Sequence, residues 1–163
     1  MGLRTVLIES TSRELDTANL AHPPARVLSA DLESPEIADA FRRWYTAVHP
    51  TDPPGVLSDT DLRDAHLGEA TCGLVVRHPW GEPAGIGLLF DEGDHWGFSG
   101  GGLQPGDPEG VALARDLVLG AARFVPPGAR LVLEVDGAMA DVAGAADLLG
   151  AAPGETIYVV AEG

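Results

Sequence analysis

Apolar residues in this chain fall into short runs whose period switches between that of a strand and that of a helix, and the switches mark out the elements. Residues 5–8 read as a short strand and residues 26–30 as another, separated by a polar stretch that ends in His22-Pro23-Pro24. Ser34-Pro35-Glu36 then predicts a helix start, with Ser34 as N-cap, Pro35 at the first helical position and Glu36 at the positive end of the dipole. Ile37, Phe41, Trp44 or Tyr45, and Val48 follow at helical spacing as one apolar face, and His49-Pro50 ends it. A weaker helix over residues 58–67 turns Leu62 and Ala65 inward. Two runs rich in Val and Leu, residues 71–77 and 84–90, flank the turn His78-Pro79-Trp80-Gly81-Glu82-Pro83 and predict a β-hairpin. Asp91-Glu92-Gly93-Asp94 makes the next turn, and residues 95–103 form a third, glycine-rich strand of the same meander.

After that strand the period changes. Asp107-Pro108-Glu109 predicts a helix with Asp107 as N-cap and Pro108 at its first position, and Val111, Ala114, Leu117 or Val118, and Ala121 give its stripe as far as Phe124. Pro126-Pro127-Gly128 stops it. Residues 130–135 are apolar at nearly every position, the pattern of a strand buried on both faces. Residues 138–149 form a small-residue helix closed by Gly150 as C-cap, and residues 156–160 are the closing strand.

A length of 163 residues fits one domain, and 45% apolar but only 6% aromatic residues mean a core of Leu, Val and Ala. All ten basic residues are arginine, against 25 acidic ones, for a net charge of −15. Without lysine there is no P-loop and no Schiff-base nucleophile, and without a basic face no nucleic-acid partner is expected. Cys72 is the single cysteine, so it forms no intrachain disulfide and reads as a small buried hydrophobe in a reducing compartment. The apolar run near the start is too short for a signal peptide and no stretch approaches a membrane span. The expectation is a soluble, cytoplasmic protein with no membrane partner. The five histidines form no local ligand pair, and no metal is expected.

Gly97-Phe98-Ser99-Gly100-Gly101 matches the Gly-x-Ser-x-Gly expression of a nucleophile elbow, but the last histidine, His95, precedes the serine and Pro105 precedes any helix. The match is accidental, and the glycines read instead as a bulged strand that a ligand or a neighbouring backbone approaches closely. Asp91-Glu92-Gly93-Asp94-His95-Trp96 gathers three carboxylates, a histidine and an indole. His95 beside a carboxylate has the makings of a general base, and the same residues also make an ordinary polar turn. Glu134 and Asp136, at the end of their strand, fit either a catalytic or a merely solvated role.

From residue 26 to residue 161 the order of elements resembles the GNAT N-acetyltransferase superfamily. Gly102-Leu103-Gln104-Pro105 feeding a helix through Gly110-Val111-Ala112 is similar to that family's strand, Val-x-Pro turn and Gly-x-Gly/Ala helix opening. Leu133-Glu134-Val135, followed by a helix with Leu148-Leu149-Gly150, is similar to its late strand and Leu-Gly-Phe corner. The resemblance implies an α/β, single-domain, GNAT-like mixed sheet flanked by helices over residues 26–163, preceded by an N-terminal extension, residues 1–25, with a short strand. It implies a CoA-dependent N-acyltransferase that moves an acetyl group from acetyl-CoA to an amine of a small-molecule substrate. Leu103, Gln104, Gly110, Val111 and Ala112 would hold the cofactor, and a backbone N–H of the third meander strand would polarise the thioester. His95 or Glu92 would accept the proton.

The chain departs from the family at several of these places. Asp107 stands where the family has arginine or glutamine, Pro108 has no N–H to donate, and Glu109 adds a second carboxylate where the pyrophosphate would lie. At about 5 Å and an effective dielectric of about 20, each like-charged pair repels by roughly 3 kcal/mol before screening. The same three residues are also what an ordinary helix start prefers. The family's tyrosine position is Ala146, the phenylalanine after its glycine is Ala151, and Met139 occupies the region of its asparagine. The resemblance therefore carries an alternative: a GNAT-like protein that has lost CoA chemistry and serves as a small-molecule-binding or protein-interaction domain. A homodimer is compatible with either.

Overall fold

The computed structural model describes residues 4–22, 25–48, 58–136 and 139–162. Its first strand, β1 (Arg4–Asp16), runs well past the predicted residues 5–8, because from Glu9 onward every residue but the buried Leu15 is Ser, Thr or charged and gives no apolar alternation. After β2 (Val27–Ala30), α1 (Pro35–Val48) opens as the sequence indicated: Ser34 Oγ accepts the Ile37 N–H at 3.2 Å, and Ile37, Ala38, Ala40, Phe41 and Trp44 are buried. Of Trp44 and Tyr45, Trp44 is the buried ring and Tyr45 is half-buried. The ending at His49-Pro50 lies outside the described residues, as does the Ala65 side chain.

The predicted helix over residues 58–67 is a single turn, α2 (Asp59–Leu62), capped by Ser58 and continued by a wider π turn, Arg63–Leu67. Leu62 and Leu67 anchor it in the core. The meander follows as β3 (Cys72–Arg77), β4 (Pro83–Asp91) and β5 (Trp96–Gly102), then α3 (Gly110–Ala122), β6 (Arg130–Asp136), α4 (Ala140–Leu148) and β7 (Ala152–Glu162). Gly150 closes α4 at φ +71°, a left-handed conformation that glycine adopts without penalty, and the Ala151 N–H reaches back to Ala146 O at 3.0 Å. The expected N-cap of α3 is displaced: the helix begins at Gly110, and Asp107 instead caps the turn before it, its carboxylate accepting the Glu109 N–H at 2.9 Å. Pro108 occupies that turn and not the helix, which accounts for the shift.

One mixed sheet holds all seven strands in the order β2-β3-β4-β5-β6-β1-β7. β5 and β6 are parallel and the other pairs are antiparallel. β1 thus lies inside the sheet, between β6 and β7. A register shift leaves Ser12 without a partner on β7, and its Oγ accepts the Glu155 N–H at 2.9 Å instead. Arg13, on the opposite face, reaches the end of α4, donating to Ala151 O at 2.7 Å and Asp147 at 2.9 Å, where a cation meets the negative end of the helix dipole.

Helices cover both faces of the meander, so its strands read as unbroken apolar runs. Leu74, Val76, Phe98, Leu131 and Leu133 pack with Leu113, Leu117 and Val118 of α3. Val75, Ile86 and Leu88 pack on the other face with Ile37, Phe41 and Trp44 of α1. The buried Asp116 of α3 is bonded by Arg26 through Nε at 2.9 Å and Nη2 at 2.6 Å, tying the approach to β2 onto that helix.

β6 corrects the expectation of a strand buried on both faces. Leu131, Leu133 and Val135 are buried, whereas Val132 is half-buried and Glu134 exposed. The alternation separates two substitutions that a doubly buried strand would make equivalent. Leu133→Asp places an unpartnered charge in the core and is expected to abolish soluble expression, and Leu133→Ala to cost about 2–5 kcal/mol in urea unfolding. Val132→Asp is expected to stay soluble with a cooperative transition, and equal loss in both would contradict the alternation.

Candidate functional site

β5 and β6 pair over three positions only, Trp96 with Leu131, Gly97 with Val132 and Phe98 with Leu133. Past Phe98, β5 remains paired to β4 as far as Gly102, while β6 remains paired to β1 as far as Asp136. The two parallel strands therefore part company in mid-sheet. Backbone polar groups along the gap need other partners. A concave region lies at each end of it.

The larger is a groove of about 470 Å³ lined by Thr11, Ser12, Glu69, Phe90, Glu92, His95, Gly97, Phe98, Ser99, Val132, Glu134 and Glu155. Phe90, Phe98 and Val132 supply apolar surface. Four glutamates line it, with no arginine among the described lining residues. Ser99 Oγ donates to Glu134 Oε2 at 2.6 Å, so a side-chain bond bridges β5 and β6 just where their backbone pairing stops. His95 Nδ1 lies 2.6 Å from Asp94 Oδ1, and this contact with the imidazole holds the Asp94 carboxyl below the usual carboxylate range. With Nδ1 so engaged, Nε2 is the nitrogen left to exchange a proton.

The second region, about 220 Å³, is lined by the end of α1 (Ala47, Val48), the end of β5 (Gly102), the β5–α3 loop (Gln104, Pro105, Gly106, Asp107), the start of α3 (Gly110, Val111) and the start of α4 (Ala140, Asp141). Asp141 Oδ2 accepts the Gly102 N–H at 2.8 Å, and Oδ1 accepts the Val142 N–H at 2.8 Å. The glycines around it leave room: a Cβ on Gly101 would stand 2.9 Å from Asp141 Oδ2, and one on Gly110 3.3 Å from Asp141 Cβ.

His95 and Glu92 thus line one groove. Of the residues implied for a cofactor, Gln104, Gly110 and Val111 line the second cavity. Leu103 is buried in the core and its N–H bonds Ala84 O at 3.0 Å, and Ala112 lines neither cavity. Glu69 and Glu155 went unnoticed in the sequence because they stand in stretches far from the Asp91–Trp96 turn. Asp141 gave no signal beyond an acid in the first turn of a helix. Ser99, set aside with the elbow motif, meets Glu134 across the gap.

The donor set of the second cavity does not fit a diphosphate-bearing cofactor such as acetyl-CoA. Its charged lining residues are Asp107 and Asp141, no cation lines it among the described residues, and the Gly102 N–H is already engaged. Nor do the described residues include a group of three or more His, Cys, Asp or Glu that could hold a metal ion, or a helix long and apolar enough to cross a membrane.

No family model and no curated protein matches the sequence. Solved structures do match in shape. An acetyltransferase of the GNAT family from Colwellia psychrerythraea superposes with a TM-score of 0.58 at 17% identity, covering 98% of this chain and 57% of that one. A GCN5-related N-acetyltransferase from Sphaerobacter thermophilus gives 0.62 at 14% identity, covering 98% and 53%. A functionally unknown conserved protein from Staphylococcus epidermidis gives 0.60 at 11% identity, covering 96% and 62%. This chain therefore spans little more than half the length of these structures. The mixed seven-stranded sheet with its flanking helices is the GNAT fold, and in that sense the chain is GNAT-like.

Proposed function

We propose that this chain is a GNAT-fold binding domain for a small cationic amine, received in the groove between Glu69, Glu92, Glu134 and Glu155. The observation that carries the reading is the lining itself: four glutamates around apolar surface, with no arginine among the described lining residues. An alkylamine with two or more ammonium groups matches this arrangement. Its methylenes lie against Phe90 and Val132 while its charges meet carboxylates. The net charge of −15 adds a field that draws cations in and repels anionic cofactors. Acceptance of the amine does not depend on the second cavity, whose acidic lining argues against acetyl-CoA.

The fold favours a second reading, a CoA-dependent N-acyltransferase that acetylates the amine held in this groove. His95 and Glu92 both line it, as a proton acceptor for an attacking amine would. In that reading His95→Ala lowers acetyl-transfer turnover by about 10²–10⁴-fold. In the first there is no turnover for the substitution to lower.

Thermal unfolding with spermidine as probe tests the amine site. A ligand at about 100 times its dissociation constant adds about 2.7 kcal/mol of stability, so the melting temperature is expected to rise with spermidine and to saturate. Glu134→Gln keeps an acceptor for Ser99 but removes a charge, and is expected to weaken the response by about tenfold in apparent affinity. Added salt weakens it further. No saturable rise, or the same rise in Glu134→Gln, would overturn the amine site.

A further inference from the structure

The glycines that the sequence singled out at the end of β5 and the start of α3 surround a side chain of this same protein. Gly101, Gly102 and Gly110 lie against Asp141, at distances that would place a Cβ 2.9, 3.4 and 3.3 Å from its Oδ2, Oδ2 and Cβ. Two of those distances concern the carboxylate oxygen that also accepts the Gly102 N–H at 2.8 Å. The cradle is therefore filled by a carboxylate. Gly102 is the last residue of β5, past the point where β6 has left, so its N–H faces the gap.

We propose that Asp141 is a built-in competitor: it occupies the backbone donor at the end of β5 and closes the gap between β5 and β6 to any acyl thioester that would use that donor. Three observations converge on it. The donor is taken by a charge-assisted bond, stronger than a neutral carbonyl would make. The oxygen sits among glycines, where a side chain larger than hydrogen on Gly101 would collide with it. And Asp141 belongs to the first turn of α4, where the helix dipole favours a negative charge and so holds the carboxylate in place. Removing the carboxylate leaves a cradle with a free donor, open to the gap. The competition is local to Gly102 and independent of what fills the groove.

Amide exchange and peak shifts of the ¹⁵N-labelled full chain read this directly, with acetylpantetheine as probe. That thioester carries no phosphate, so repulsion from Asp107 does not enter. In Asp141→Ala the Gly102 amide is expected to exchange about tenfold faster or more, the loss of one charge-assisted hydrogen bond, and its peak to move with millimolar acetylpantetheine. In the unsubstituted chain the amide is protected and its peak stays put. Asp141→Asn, which keeps an acceptor, is expected to retain the protection. If Asp141→Ala is insoluble, Asp141→Ser supplies the shortened side chain while keeping a polar group in the first helical turn. Unchanged exchange at Gly102 in the shortened variant would overturn the proposal. So would an equal peak movement in the unsubstituted chain, or no movement in either. Spermidine binding, which reports on the groove, is expected to be the same in all of them, so failure of the amine site and failure of the competitor show up in different titrations.

Discussion

Separation of two parallel strands in the middle of a sheet is the constraint on which the site depends. β5 and β6 share three paired positions and then diverge, each still held on its outer side by an antiparallel neighbour. The backbone groups so released lose their sheet partners, and those that are buried are costly to leave unpaired. The chain answers with side chains. Asp141 accepts the Gly102 N–H, and Ser99 donates to Glu134 in a side-chain bond across the gap. A concave region lies beside each end of the gap, and the side chains there decide its charge.

Both of those bonds end on a carboxylate, and each adds negative charge to its cavity. At the α3 end that charge opposes an anionic ligand. A helix N-terminus framed by glycines would ordinarily suit a phosphate, but here Asp107 caps the preceding turn and Asp141 fills the cradle. At the other end the same sign of charge is an attraction, because the groove has apolar surface, room and four glutamates. Under the proposed reading, one fold carries a cavity at the start of α3 whose charge does not suit an anionic cofactor and a groove whose charge suits a cation. The fold is shared with solved acetyltransferase structures, but function follows from the residues that line each region.

The local sequence made much of the fold readable, because in the meander and in α1 packing agrees with propensity. Ser34-Pro35-Glu36 starts α1, Gly150 ends α4, and the alternate residues Leu74, Val75 and Val76 go to opposite faces that are both covered. β1 was legible only at its first residues, since a strand that turns Thr11 and Ser12 toward an open groove shows no apolar alternation. β6 misled in the opposite direction: Val132 looks like a core residue, but Glu134 on the same face marks it as the wall of a groove. The turn carrying Glu92 and His95 could be picked out from its composition. The other three glutamates come together through the pairing of β6, β1 and β7 and the position of Glu69, contacts between stretches far apart in the chain. Asp141 was hidden for the same reason, since the glycines it fills precede it by the whole of α3 and β6.

The most direct test of this account is the thermal unfolding of the unsubstituted protein in the presence of acetyl-CoA. If Asp141 closes the β5–β6 gap and Asp107 adds charge that opposes a phosphate at the start of α3, the melting temperature stays unchanged up to millimolar acetyl-CoA. A saturable rise, which binding to the native state would produce by mass action, would contradict it.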